Sequence, residues 1–173
     1  MEITLVLHNI RSCYNVGAII RTAEGFGVKK VILSGYTPRV GDKNLLPHLR
    51  EKINKEIHKT ALGAENLVKI ILVDDIKTEI LKYRTEGVTI VGLENNVKGD
   101  VYELNDPKLK EKIGDKIILV LGEEVNGIDE ELYNLMNLFV EIPMRGKKES
   151  FNVSVATGIA LYGLTFPLER KGQ

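Results

Sequence analysis

Apolar residues in this chain gather in short, nearly unbroken runs: Ile3 to Leu7, Lys30 to Leu33, Ile70 to Val73, Val88 to Leu93, Ile117 to Leu121 and Leu138 to Ile142. Runs of this length, rich in β-branched residues and lacking a polar alternate, predict strands covered on both faces of a parallel sheet. Between them, helices are expected at Asn15 to Phe26, Asp75 to Arg84, Asp129 to Asn134 and Asn152 to Leu164. The alternation predicts an α/β fold with a mostly parallel sheet and helices on both faces. No internal repeat, low-complexity tract or long linker divides the chain, so residues 1–173 are expected to form one domain. Thr37 to Asn66 is the least regular stretch and is expected to be a mobile, substrate-facing excursion.

The run from Ile142 to Tyr162 has the pattern of a pocket wall. Pro143 lacks a backbone donor and ends the strand, Gly146 permits a sharp turn, and Ser150 or Asn152 is placed to cap the following helix. The free amides of such a helix start suit a polar or anionic ligand edge. Within that helix Ala156, Ala160 and Gly163 share one narrow face, which fits either packing on the sheet or a dimer contact. Gly122-Glu-Glu-Val-Asn-Gly127 has the two-glycine spacing of a P-loop, but Ile128 and Asp129 stand where Lys and Ser/Thr would hold phosphate and magnesium. Its carboxylates suit a ligand presenting hydroxyls or a cation. Gly25 and Gly27 lack a third glycine and read as a helix C-cap, not a dinucleotide fingerprint. In Asn15 to Arg21, Asn15 is expected to cap a helix and Arg21 to lie at the surface about two turns along. In a parallel sheet the loops after Leu7, Leu121 and Ile142 gather at the carboxyl edge, where α/β proteins bind ligands.

Composition narrows the setting. The chain has 173 residues, 43% of them hydrophobic, enough for a substantial core. It has no apolar stretch of about 18 residues and no signal-peptide pattern at its start, so a cytoplasmic protein is expected. Cys13 is the single cysteine, and His8, His48 and His58 have no metal-ligand spacing, so neither a disulfide framework nor a metal site is expected. With 24 basic and 24 acidic side chains the formal net charge is zero, and any polyanion must be met by a local patch. Two are available: Arg39, Lys43, Arg50, Lys52, Lys55 and Lys59 in the irregular stretch, and Arg145, Lys147 and Lys148 in the pocket-wall segment.

Three ordered segments resemble one family over nearly the whole chain. His8-Asn-Ile-Arg-Ser-Cys-Tyr-Asn15-Val-Gly-Ala-Ile-Ile-Arg21 is similar to the first motif of the SpoU-type (TrmH-like) RNA ribose methyltransferases. Gly122-Glu-Glu124-Val-Asn-Gly127 is similar to the second, and Ile142 to Val155 to the third, with Ala61 to Glu65 a smaller matching element. The resemblance implies a C-terminal trefoil knot, a homodimer and S-adenosylmethionine held by the knotted loops. It implies that Leu93, Gly122, Ile142, Ser150 and Phe151 line the cofactor pocket. Asn15, Arg21, Glu124, Ser150 and Asn152 match the family's polar active-site positions. Arg11, Arg145, Lys147 and Lys148 are candidate RNA contacts. The expected reaction is methyl transfer to a ribose 2′-hydroxyl. Transfer RNA is favoured over ribosomal RNA because the chain leaves no room for an extra RNA-binding domain. A guanidinium stays protonated, so Arg21 is expected to clamp a phosphate and stabilise developing alkoxide charge. Glu124 is expected to fix loop geometry. A non-catalytic RNA-binding protein on the same scaffold is the alternative. A Cys13 thiolate methylating carbon has no histidine nearby in sequence to activate it, and a dinucleotide-dependent oxidoreductase lacks its glycine fingerprint.

Overall fold

The computed structural model describes residues 1–166. In chain order the elements are β1 (Glu2–His8), α1 (Cys13–Gly25), β2 (Lys30–Ser34), α2 (Pro47–Ala61), β3 (Lys69–Val73), α3 (Ile76–Thr85), β4 (Thr89–Leu93), β5 (Val101–Glu103), α4 (Leu109–Lys112), β6 (Lys116–Leu121), α5 (Glu130–Tyr133), β7 (Leu138–Glu141) and α6 (Val153–Thr165). Seven strands form one sheet in the order β3-β2-β1-β6-β4-β7-β5, and every pairing is parallel. All six strands expected from the apolar runs are present, with β5 as an additional short edge.

Successive side chains of a strand point to opposite faces, so an unbroken apolar run feeds two cores. Leu5 and Leu7 of β1, with Leu119 and Leu121 of β6, pack against Ile19 and Ile20 of α1, Ile57 of α2 and Leu161 of α6. Val6, Ile118 and Val120 point the other way, toward Ile76 and Ile80 of α3 and Leu132 of α5. Helices therefore cover both faces, and the loops leaving β1, β4, β6 and β7 meet at one edge of the sheet.

The stretch from Thr37 to Asn66 is not the irregular excursion expected. It contains α2 and a 3₁₀ turn over Ala64–Asn66. Pro47 starts α2 at a position where a missing amide costs nothing. Only a narrow stripe, Ile53, Ile57 and Ala61, faces inward, because α2 packs chiefly on α1. The crossing is close: a Cβ at Gly17 of α1 would overlap the Thr60 hydroxyl and the Ile57 carbonyl. The basic residues of this stretch mostly decorate the outer face of α2, but Arg39 is tied down by Asp74 at 2.6 Å and by the Val73 carbonyl at 3.4 Å.

Two caps also differ in detail. Ser12, not Asn15, caps α1, its hydroxyl accepting from the Asn15 amide at 3.3 Å. At α6 the cap is Asn152, whose side chain accepts from the Ser154 amide at 2.9 Å. Ala160 of the small-residue face is fully buried and Gly163 abuts Leu104, while Ala156 and Gly163 are only partly buried. The exposed face of α6 is instead apolar: Val155, Ile159 and Tyr162, continued by Phe166. No helix among the described residues is long and apolar enough to cross a membrane.

Candidate active site

Releasing Asn15 from capping leaves its side chain free for a longer reach. Its amide nitrogen donates to Glu124 Oε1 at 2.9 Å, and its carbonyl oxygen accepts from Asn152 Nδ2 at 3.2 Å. Glu124 also accepts from the backbone amides of Arg11 at 3.1 Å and Ser12 at 3.4 Å. A single chain of contacts thus joins the β1–α1 loop, the β6–α5 loop and the start of α6. Glu123, alongside, is buried and ion-paired with Arg11. The Tyr36 hydroxyl and then Glu123 hold the Arg11 guanidinium above its ordinary value.

Beside this node lies a cavity of about 380 Å³, lined by Leu93, Glu94, Asn95, Gly122, Glu124, Ile142, Ser150, Phe151 and Asn152 among others. Its size falls within the roughly 300–1,000 Å³ of small-molecule sites. All five residues expected at a cofactor line it, as do Glu124, Ser150 and Asn152 from the expected catalytic set, while Asn15 stands behind Glu124. Arg21 is exposed on α1 and does not line the cavity. Arg145, Lys147 and Lys148 are exposed on the segment that leaves β7, without an ion pair among the described residues. Arg11 differs from them, being engaged by Glu123 and Tyr36.

Of three further positions that shape the site, Asn95 and Glu94 gave no local signal in the sequence, and His8 entered only as the first residue of the first motif. Asn95 accepts from the Ile142 amide and donates to the carbonyls of Ile142 and Glu149, each at 3.1 Å, so it holds both ends of the loop after β7. His8 bonds Ser34 at 2.9 Å and Asp129 at 3.0 Å, tying the end of β1 to β2 and to the start of α5. Glu94 accepts from the amides of Ile128 at 2.9 Å and Asn95 at 3.1 Å. Burial pushes its carboxyl above the ordinary value despite those bonds. Each of these partners is remote in sequence or is backbone, which residue spacing does not reveal. Burial and then Glu56 push the Cys13 thiol up to about 11, which argues against its serving as a nucleophile at neutral pH.

Burial alone would raise the Glu124 carboxyl, but hydrogen bonds from the Arg11 amide, the Asn15 side chain and the Ser12 amide more than offset it, leaving it below its ordinary 4.5. A depressed folded value means stabilisation that is present above the unfolded value and lost as pH falls through the folded one. Glu124→Gln, which keeps one acceptor oxygen, is expected to unfold about 1–3 kcal/mol more easily at pH 7. That difference should shrink as urea melts are repeated below pH 4.5. A difference unchanged by pH would show that the charge of Glu124 does not hold the loops.

A parallel sheet whose carboxyl-edge loops converge on a polar node and a backbone-rimmed cavity defines a ligand-binding α/β domain of the doubly wound kind. Residues 2–162 match the model of the SpoU rRNA Methylase family, and the chain belongs to that family. The 23S rRNA (guanosine-2′-O-)-methyltransferase RlmB of Coxiella burnetii is 33% identical over 158 residues, covering 91% of this chain and 56% of that protein. Its namesake from Xylella fastidiosa is 32% identical with the same coverage. The chain thus spans a little over half the length of these curated relatives. Among solved structures, a putative RNA methyltransferase of the TrmH family from Porphyromonas gingivalis superposes with a TM-score of 0.76 at 26% identity, covering 94% of this chain and 58% of that one. The A. aeolicus TrmH/SpoU tRNA modifying enzyme gives 0.71 at 25% identity, covering 95% and 74%.

Proposed function

We propose that this chain is the methyltransferase unit of an enzyme that transfers a methyl group from S-adenosylmethionine to a 2′-hydroxyl of RNA ribose. The observation that carries the reading is the Asn15–Glu124–Asn152 node at the mouth of a cavity lined by Leu93, Gly122, Ile142, Ser150 and Phe151. The cavity fits a nucleoside cofactor in size, in its backbone rim and in its mixture of Leu and Ile surface with carboxylate and amide groups. Bound there, S-adenosylmethionine supplies an electrophilic methyl carbon. The chain's own residues hold the acceptor in line with it, which is where much of the rate arises. Asn15 and Asn152 orient the ribose, and Glu124 keeps both in place through Asn15. Arg21 grips the neighbouring phosphate, and Arg145, Lys147 and Lys148 meet the RNA backbone, with Arg11 shaping the loop behind them. An assembled node disfavours the alternative of a purely RNA-binding relic.

The names of the curated relatives support ribosomal RNA, and a guanosine ribose, over the transfer RNA expected from chain length. The reading includes a trefoil knot, supported by β4 lying between β6 and β7 and by Asn95 gripping the loop that leaves β7. It also includes a homodimer. The exposed apolar face of α6 borders a groove of about 940 Å³ lined by Met1, Leu104, Ile159 and Tyr162, and a second copy would cover it. Titration calorimetry with S-adenosylmethionine, together with methyl transfer to rRNA and tRNA from a strain lacking the gene, tests the proposal. Micromolar binding and label on a ribose 2′-oxygen are expected. Absence of binding at high micromolar cofactor would sink the methyltransferase reading, and sedimentation of the same sample reads the dimer.

A further inference from the structure

Glu94 is the one carboxylate of the cavity that neither a cation nor a side chain engages among the described residues. Glu123 has Arg11, and Glu124 has Asn15. Glu94 has two backbone amides, Ile128 on Oε2 and Asn95 on Oε1, so each oxygen keeps an unused acceptor position. A neutral amide could brace at least one of those amides at lower desolvation cost, and a half-buried charge without a cation needs a further source of stabilisation. Hydroxyl donors from a bound ligand provide one. Its position is fixed from two sides. Gly127 lies so close that a Cβ there would overlap the Glu94 carboxylate, and Asn95 is pinned to Ile142.

The sheet order says which part of a ligand would meet Glu94. At the carboxyl edge the strands run β1, β6, β4, β7. In the polar node where an acceptor ribose is held, Asn15 and Glu124 follow β1 and β6, and Asn152 reaches Asn15 from the start of α6, which packs on α1. Glu94 follows β4, and neighbouring strands stand roughly 4.8 Å apart. Given the methyltransferase reading, on which this inference rests, the methyl end of the cofactor faces the node and its nucleoside extends toward β4 and β7. We infer that Glu94 recognises the ribose of the cofactor, its two carboxylate oxygens accepting hydrogen bonds from the vicinal 2′- and 3′-hydroxyls. An ionised carboxylate can only accept, and a vicinal diol presents two adjacent donors, so the match is one of chemistry as well as position.

The test uses calorimetry with S-adenosylhomocysteine, which has neutral sulfur, and with its 2′-deoxy and 3′-deoxy analogues. The unmodified protein is expected to bind each deoxy analogue at least about tenfold more weakly, since a site built for a hydroxyl rejects a ligand lacking it. Glu94→Gln is expected to weaken S-adenosylhomocysteine by about the same factor and to reduce discrimination between the three to about twofold. Equal affinity of the unmodified protein for all three ligands overturns the assignment without need of any variant. So does unchanged discrimination in Glu94→Gln. Failure of the protein to bind any of the three removes the methyltransferase reading itself, and the role of Glu94 with it.

Discussion

Gly122→Ala is expected to abolish cofactor binding and to destabilise the fold by about 2–4 kcal/mol, because the added methyl group has no space to enter. Gly122 follows β6 directly, and the chain folds back on itself there: the Glu123 amide donates to the Gly127 carbonyl at 2.8 Å, and the Gly127 amide returns the bond at 3.0 Å. A Cβ on Gly122 would overlap the Gly127 carbonyl group and the Ile128 amide. These are backbone atoms and cannot rotate aside as a side-chain tip would. Displacing Ile128 also disturbs its bond to Glu94, and displacing Glu123 disturbs its pairing with Arg11, so the strain spreads across two walls of the cavity. Gly146→Ala is the matched control. It lies in the loop after β7, a Cβ there meets nothing within 4 Å, and its effect on urea unfolding should stay within about 0.5 kcal/mol. If Gly122→Ala folded and bound S-adenosylmethionine like the parent, the cofactor would have to sit elsewhere than against this turn.

How far the sequence could be read depended on what each element packs against. Strands covered on both faces must be apolar at nearly every position, so β1, β2, β4, β6 and β7 stood out as unbroken runs; β3 reads the same way in sequence although it is an edge strand with no fully buried residue. α2 did not, since a helix lying on another helix needs only a stripe such as Ile53, Ile57 and Ala61, and the ten charged and polar residues of the helix conceal it. The signals that would have revealed it are Pro47 at its start, that four-residue spacing, and the Glu51–Lys55 pair, 2.7 Å apart. β5 has only three residues at the edge of the sheet, too few for periodicity to register. In the site, most residues carried by family motifs came together around one cavity, with Arg21 standing outside it on α1. Asn95 and Glu94 stayed hidden because their bonds go to backbone groups, and the part played by His8, although it opens the first motif, did so because its partner Asp129 is 121 positions away. Asn15 illustrates the intermediate case: its place near a helix start was legible, but Ser12 takes the cap, and that leaves Asn15 available to Glu124 and Asn152.

Arg21→Lys is expected to lower the rate of methyl transfer by about a hundredfold, the size expected when a reacting group is misplaced by about an ångström, while leaving affinity for S-adenosylhomocysteine within a factor of about two. The two readouts separate because Arg21 stands on the exposed side of α1, outside the cavity that holds the cofactor on the proposed reading. Lysine keeps the charge, so any role that needs only a positive potential would survive the change. What lysine loses is the planar fork, which can hold two oxygens of one phosphate and so set the angle of the attached ribose. Correct alignment is worth far more to a displacement at carbon than a nearby charge alone, because the attacking oxygen must lie in line with the bond that breaks. Nor can Arg21 act as a proton acceptor, since a guanidinium holds its proton throughout the accessible pH range. Single-turnover transfer of labelled methyl groups to RNA at saturating protein measures the step apart from binding. A variant with near-parental turnover would show that a bidentate clamp is not essential, and would shift the orienting role to Asn15 and Asn152, which already touch one another at 3.2 Å at the mouth of the cavity.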